Sequence, residues 1–160
     1  MAITKLIHMK ESSSKEKGKH LKNAVCYILN PEKTAGGLYM NSNCGCDANE
    51  IYQGMIQTKK QHGKTWGRQG YHFVISFAPG EATEETAFAV MQDFTDQYLK
   101  DEYDYVYVVH NDKEHIHGHL IFNSLSYSGY KYHYKEGQWK NEIQPVTDSI
   151  CRKYGLDGLL

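Results

Sequence analysis

An α+β fold, with a largely antiparallel central sheet and flanking helices, is what this 160-residue chain predicts. Two apolar, β-rich runs, Tyr103–Val109 and Ile116–Leu125, are joined by a short acidic turn, which is the pattern of an antiparallel hairpin. Helical spacing of apolar residues marks Leu21–Leu29 and Thr83–Lys100. The element order β-α-(α)-β-α-β-β-α then places helices against a sheet in one two-layer sandwich.

The elements follow in order. Ala2–Met9 alternates weakly and reads as an opening strand, and Lys10–Gly18 is a polar loop able to order on a ligand. Leu21–Leu29 stops at Asn30-Pro31 because proline disfavours helix at the residue before it; Tyr27 lies off the apolar stripe. Gly36-Gly37 and Asn41–Asp47 read as turns, with Asp47 or Asn49 the N-cap of a helix through Lys60. Tyr71–Ala78 alternates as a strand and is closed by Pro79-Gly80. Thr83–Lys100 is an amphipathic helix with acids at its start. Tyr127–Tyr134 reads as a further ribbon and Pro145–Tyr154 as a terminal helix.

The length suits one domain, 1–160, able to bury about two-thirds of its unfolded surface. No apolar stretch reaches the ~20 residues of a membrane span, and Met1–Lys10 has no signal-peptide pattern, so a cytoplasmic protein without membrane insertion is expected. Cys26, Cys44, Cys46 and Cys151 suit free thiols in a reducing compartment. Cys44-Gly45-Cys46 is too closely spaced for a zinc knuckle. Net charge is −1 but uneven: residues 1–70 carry 11 Lys+Arg against 5 Asp+Glu, and residues 71–160 carry 7 against 14. The basic segments Lys5–Lys22 and Lys59–Arg68 (with Lys59, Lys60, Lys64 and Arg68) could lie along backbone phosphates or be plain solvated faces.

The most informative stretch is His110-Asn111-Asp112-Lys113-Glu114-His115-Ile116-His117-Gly118-His119, with four of the nine histidines. On a strand His115, His117 and His119 share a face, and a hairpin lets His110 reach them. Imidazoles with open positions on a divalent ion suit catalysis, and Asp112 or Glu114 could orient a ligand histidine. On the strand Tyr71–Ala78, His72 and Ser76 share a face and either line a DNA path or are satisfied core polar residues. Asn123 has the histidines' parity. Tyr130, Tyr132, Tyr134 and Trp139 could stack on splayed bases.

The segment from His110 and Asp112 through His115, His117 and His119 to Asn123 resembles the third motif of the mobilisation-P class of conjugative relaxases, in the HUH endonuclease superfamily. Ala24–Thr34, with Tyr27 ahead of Asn30-Pro31-Glu32-Lys33-Thr34, is similar to that family's first motif. Tyr71–Glu81, ending in Ser76-Phe77-Ala78-Pro79-Gly80-Glu81, is similar to its second. The resemblance implies an HUH relaxase-like sandwich in which Tyr27 attacks the scissile phosphate of single-stranded DNA at an origin of transfer, joining the protein to the 5′ phosphate. It implies a Mg²⁺ or Mn²⁺ ion on His110, His117 and His119, although three imidazoles alone suit softer ions such as Zn²⁺ or Ni²⁺. His115 would contact substrate or the ligand shell, Asp112 would orient, and Lys33, His72, Ser76 and Asn123 join the basic residues as DNA contacts. Tyr39 and Tyr52 are the alternative nucleophiles. Accessory relaxosome proteins and a coupling protein are implied partners, in a bacterial plasmid or integrative element. Such relaxases usually carry a long C-terminal extension, which is not expected in this chain.

Two other classes compete. His115–Ile121 also resembles the histidine-triad signature of nucleotide hydrolases and transferases, but Gly118 stands where a hydrophobic residue is expected, and Tyr27 and His110 go unexplained. A non-cleaving, origin-binding module would keep the histidines without using the tyrosine. A replication initiator would share the chemistry but lack Asn-Pro-x-Lys-Thr.

Overall fold

A computed structural model of the chain describes residues 1–9, 12–13, 15–34, 39–111 and 115–159. Among the described residues the strands Ile3–Ile7 (β1), Met40–Ser42 (β2), Gly70–Ser76 (β3), Tyr105–His110 (β4) and His117–Asn123 (β5) form one sheet. Its order is β1-β3-β5-β4-β2, with every neighbouring pair antiparallel. The helices are Lys19–Ile28 (α1), Ala48–Gln61 (α2), Glu84–Leu99 (α3) and Gln144–Lys153 (α4). The fold is therefore the α+β class with the antiparallel sheet and flanking helices that the sequence predicts. No described helix is long and apolar enough to cross a membrane.

Strand alternation assigns the two faces of the sheet to different partners. Phe73 and Ile75 of β3, Tyr107 and Val109 of β4, and Leu120 and Phe122 of β5 are buried with Ala87, Val90, Met91 and Phe94 of α3 and Ile150 of α4. On the opposite face Val106, Val108 and Ile121 are buried with Leu21, Val25 and Ile28 of α1 and Ile51 and Met55 of α2. Each face thus has a helical layer of its own, so the α+β sandwich has three layers where two were expected. The histidines of β4 and β5 extend the α1/α2 face.

Local chemistry sets the helix ends. Asp47 accepts from the Glu50 N–H at 2.8 Å and is the N-cap of α2. Thr83 does the same for Thr86 N–H at 3.1 Å, with Glu84 and Glu85 in the first turn of α3, where the helix dipole favours them. α3 ends on Lys100 in the left-handed region, φ 52°.

Two elements differ from expectation. Met40–Ser42, overlapping the turn read over Asn41–Asp47, is a short edge strand paired with Val106–Val108; three residues are too few for an alternation signal. The ribbon expected over Tyr127–Tyr134 is reduced to one bridge, Leu125 to Lys131. Tyr132 instead turns into the core, edge-on to Tyr71 and Phe122.

Gly118 has a packing reason. A Cβ there would lie 2.2 Å from Met91 Sδ, and Met91 is itself fully buried in α3. The strand between the two inward histidines therefore lies against α3 with no room for a side chain. Gly118→Ala is expected to cost about 1–3 kcal/mol by overpacking, read as a lower urea midpoint with an unchanged slope.

Candidate active site

Hairpin register brings the histidines together. His110 of β4 pairs directly with His117 of β5, while His119 lies opposite Val108 on one side and Val74 on the other. Ring centroids are 4.2 Å apart for His110 and His119, 6.2 Å for His117 and His119, and 4.3 Å for His115 and His117. His115 is half-buried just before β5, and His110 and His119 are buried.

Each of the three strand histidines has a nitrogen engaged outside the set. His110 Nε2 lies 2.7 Å from the Ile28 carbonyl, to which it can only donate, so in the neutral ring Nδ1 is the basic nitrogen. His119 Nδ1 is 2.8 Å from His72 Nε2, and His117 Nδ1 is 3.3 Å from Ser76 Oγ. If Nδ1–H donates in both, Nε2 is the basic nitrogen of each ring. Burial, with a smaller contribution from His110, pushes His72 down to about 4. His72 is thus neutral at pH 7, and its Nε2 can accept in one of its two tautomers. Among the described residues, no three His, Cys, Asp or Glu side chains are already gathered as a metal cage. The donor set nonetheless suits a divalent ion: neighbouring imidazoles, with one nitrogen of each of three rings held by a carbonyl, an imidazole or a hydroxyl.

Tyr27 stands over this group. It occupies the last turn of α1, is 53% exposed, and meets His110 edge-on with centroids 6.2 Å apart. Lys33 Nζ sits 5.5 Å from the Tyr27 ring centroid. The chain after α1 explains this placement. Asn30 Oδ1 accepts from Glu32 N–H at 3.0 Å, and the Asn30 carbonyl accepts from Lys33 N–H at 3.0 Å and Thr34 Oγ1 at 3.1 Å. The Lys33 carbonyl then accepts from Asn111 N–H at 3.2 Å. The Asn-Pro-x-Lys-Thr turn therefore ties the end of α1 to the end of β4, and the His110 bond to Ile28 is a second tie.

Other expected residues fall into different places. His72 and Ser76 share the histidine face as read, but their polar atoms support His119 and His117. Asn123 has the right parity yet is fully buried at the far end of β5, donating to the Met55 carbonyl at 2.9 Å and to Asp104 at 3.0 Å. It is a core polar residue, correcting its reading as a DNA contact. Lys59 does not lie on an exposed basic face: it is 1% exposed, and burial pushes its ammonium down to about 7 despite the Asp104 carboxylate. Lys60 is exposed, Lys64 donates to the Gly129 carbonyl at 2.7 Å, and Arg68 lies 5.4 Å from the Tyr71 ring centroid. Tyr52 is buried, donates to Glu16 and is pushed up to about 12 by burial and that contact. Tyr39 is half-buried and donates to Glu85 at 3.2 Å. Neither offers a poised hydroxyl. Of the four stacking candidates, Tyr132 is buried and Trp139 donates to the Thr4 carbonyl at 2.6 Å, while Tyr130 is exposed and Tyr134 half-buried. Asp112 and Glu114 lie outside the described residues.

The structure adds a cleft of about 340 Å³ lined by His8, His20, Ala24 and His72 among others. His20, Ala24 and Tyr27 are spaced i, i+4, i+7 and so share one side of α1. That spacing was the available signal; the approach of His8 and His72 was not.

Lys59 carries a stability prediction. Its ammonium titrates near 7 in the folded state against 10.5 when unfolded, so the unfolded chain binds more protons between these values and wild-type stability rises with pH there. Lys59→Met, which removes the buried charge facing Asp104 and Lys131, should gain most below pH 7. That advantage should shrink by up to about 4 kcal/mol towards pH 10.5, read from urea midpoints at pH 6, 8 and 9.5.

An α+β domain with a histidine hairpin under an exposed helical tyrosine defines a class. The chain belongs to the relaxase family described as MobA/VirD2-like, nuclease domain, which matches residues 27–156. Two Staphylococcus aureus proteins named Protein rlx are 28% and 30% identical over 156 and 157 residues, covering 98% of this chain and 44% of each relative. The group II intron-interrupted relaxase LtrB of Lactococcus lactis subsp. cremoris is 26% identical over 174 aligned positions, covering 85% of this chain and 31% of that protein. The chain thus spans less than half the length of these curated relatives.

Proposed function

We propose that this domain nicks single-stranded DNA at an origin of transfer and becomes joined to its 5′ phosphate through Tyr27. The observation that carries the reading is the exposed Tyr27 ring set edge-on to His110, the histidine that is also bonded to α1. A strand lying in the cleft along His20 and Ala24 would pass its phosphate between Tyr27 Oη and the histidine group.

In the reaction, Tyr27 Oη forms a bond to phosphorus as the bond from phosphorus to the 3′ oxygen breaks. The phenol proton passes to a base, for which half-buried His115 is the candidate, and the leaving oxygen takes up a proton from solvent to end as a free 3′-OH. The negative charge that builds on the phosphoryl oxygens needs positive partners. Lys33, above Tyr27, is one. A divalent ion, Mg²⁺ or Mn²⁺ by family expectation, would be held by His110, His117 and His119 and would supply charge neutralisation. His72, neutral at pH 7, and Ser76 would set the tautomers of His119 and His117. Rejoining is the reverse attack by the 3′-OH.

Accessory relaxosome proteins, a coupling protein and a bacterial cytoplasmic setting belong to the same proposal. The test is an SDS-stable adduct on origin single strands labelled on either side of the nick, with Mn²⁺ or with chelator. Label retained only from the 5′-phosphate side, and only with metal, is the expected result. Cutting without an adduct, or adduct on the other side, would overturn the reading.

A further inference from the structure

At the opposite end of α1 from Tyr27 lies a cleft of about 380 Å³ that the proposed reaction does not use. Its wall is formed by Lys15, Lys17 and Lys60, and Lys59, Thr65 and Gln69 also line it. Glu16 is the one carboxylate among the described residues of the lining, and it is engaged by Tyr52 Oη at 3.1 Å and by Lys22 at 3.9 Å. Lys59 is 1% exposed, and its Nζ makes no hydrogen bond among the described residues. Asp104, its electrostatic neighbour, already accepts from Thr58 Oγ1 at 2.7 Å, Asn123 Nδ2 at 3.0 Å and Tyr127 Oη at 2.8 Å. A buried ammonium with three donors to place is costly unless it finds acceptors, and the oxygens of an oxyanion supply several at once.

Two local features shape the cleft for close approach. Gly18 opens α1 without a side-chain cap, and a Cβ there would lie 2.7 Å from Tyr52 Oη. The helix's positive end is thus left without a carboxylate in its first turn. Thr65 and Gln69 belong to the segment leading into β3, whose Gln69 amide is fixed by the Thr65 and Gly67 carbonyls, both at 3.0 Å.

We infer that this cleft binds a phosphate group, with Lys59 at its base and Lys15, Lys17 and Lys60 around it. The phosphate is either a free ester or a backbone diester of the DNA. Gly18 and Tyr27 are separated along α1 by about 14 Å, roughly four base-pair steps of duplex. A DNA segment beside the nicked strand can therefore reach both. The assignment of DNA as the source rests on the proposed nuclease reading; the phosphate site itself does not.

The test is amide NMR at pH 6.5, with inorganic phosphate titrated against chloride at matched ionic strength. Phosphate should shift the Gly18, Thr65 and Gln69 amides in wild type. Lys59→Met should weaken that binding at least tenfold and Lys60→Gln two- to threefold, the second variant altering only an exposed side chain. Origin DNA that displaces phosphate from these amides would make the backbone the source; DNA that binds without moving them would make it a free phosphate ester. No phosphate-dependent shift at these amides in folded wild type, or equal shifts in wild type and Lys59→Met, would overturn the site. Failure of Tyr27 chemistry would leave these shifts unchanged, so the two ideas fail separately.

Discussion

Tyr27→Phe is expected to lose at least four orders of magnitude of nicking while folding and binding DNA as wild type does. The substitution removes one oxygen. With its ring 53% exposed, Tyr27 contributes little packing through that hydroxyl, so stability should change by less than about 0.5 kcal/mol. The edge contact with His110 and the Lys33 ammonium over the ring both survive in phenylalanine. What disappears is the proposed nucleophile, and neither alternative stands ready: Tyr52 is buried and bonded to Glu16, and Tyr39 is bonded to Glu85. Gel-shift affinity and nicking rate measured on the same preparation check the prediction. A variant that still nicks within tenfold of wild type would remove Tyr27 from the mechanism.

His119→Ala is the second large effect, and it should be felt in both activity and stability. His119 is buried between His72, 2.8 Å away, and His110, with ring centroids 4.2 Å apart. Truncation leaves His72 without that partner in a buried site and opens a cavity, together costing about 1–3 kcal/mol. It should also abolish the rise in Tm expected of wild type with Mn²⁺, because stabilisation by a ligand follows its affinity for the folded state. Nicking should fall at least a thousandfold. His115→Ala makes the contrast: the Mn²⁺-induced Tm shift should remain while the nicking rate falls. Loss of that shift in His115→Ala, with retention in His119→Ala, would reassign the ligands.

The parts of the site that are local in sequence could be read from it. The β4–β5 hairpin, the shared face of His117 and His119, and the end of α1 at Asn30-Pro31 all follow from spacing and turn chemistry. Tyr27 is a different case. Its helical position was readable, but thirteen tyrosines look alike in composition, and only the motif resemblance separated it. Contacts made across long separations were not legible. The bond from His110 to the Ile28 carbonyl joins residues 82 apart, and that from His72 to His119 joins residues 47 apart.

Lys59 and Asn123 show why parity and charge alone mislead. Lys59 sits in a basic run, which usually means a solvated face, yet its position on α2 turns it towards the sheet and Asp104. Asn123 keeps strand parity with the histidines but lies 4 residues beyond His119, at the other end of β5, where its amide closes a buried network. For both, tertiary placement decided the environment after local pattern had fixed only the direction. β2 is the mirror case: β4 recruits an edge strand too short to announce itself.

The central claim, that Tyr27 is the covalent attachment point for DNA, is tested most directly by mass spectrometry of the nuclease-trimmed adduct after trypsin. Cleavage after Lys22 and Lys33 releases Asn23–Lys33, in which Tyr27 is the only tyrosine. A nucleotide phosphate mass on that peptide, localised to Tyr27 by fragmentation, is the expected result. The same mass on the peptide carrying Tyr39 and Tyr52, or on a histidine-bearing peptide of the β4–β5 hairpin, would contradict it.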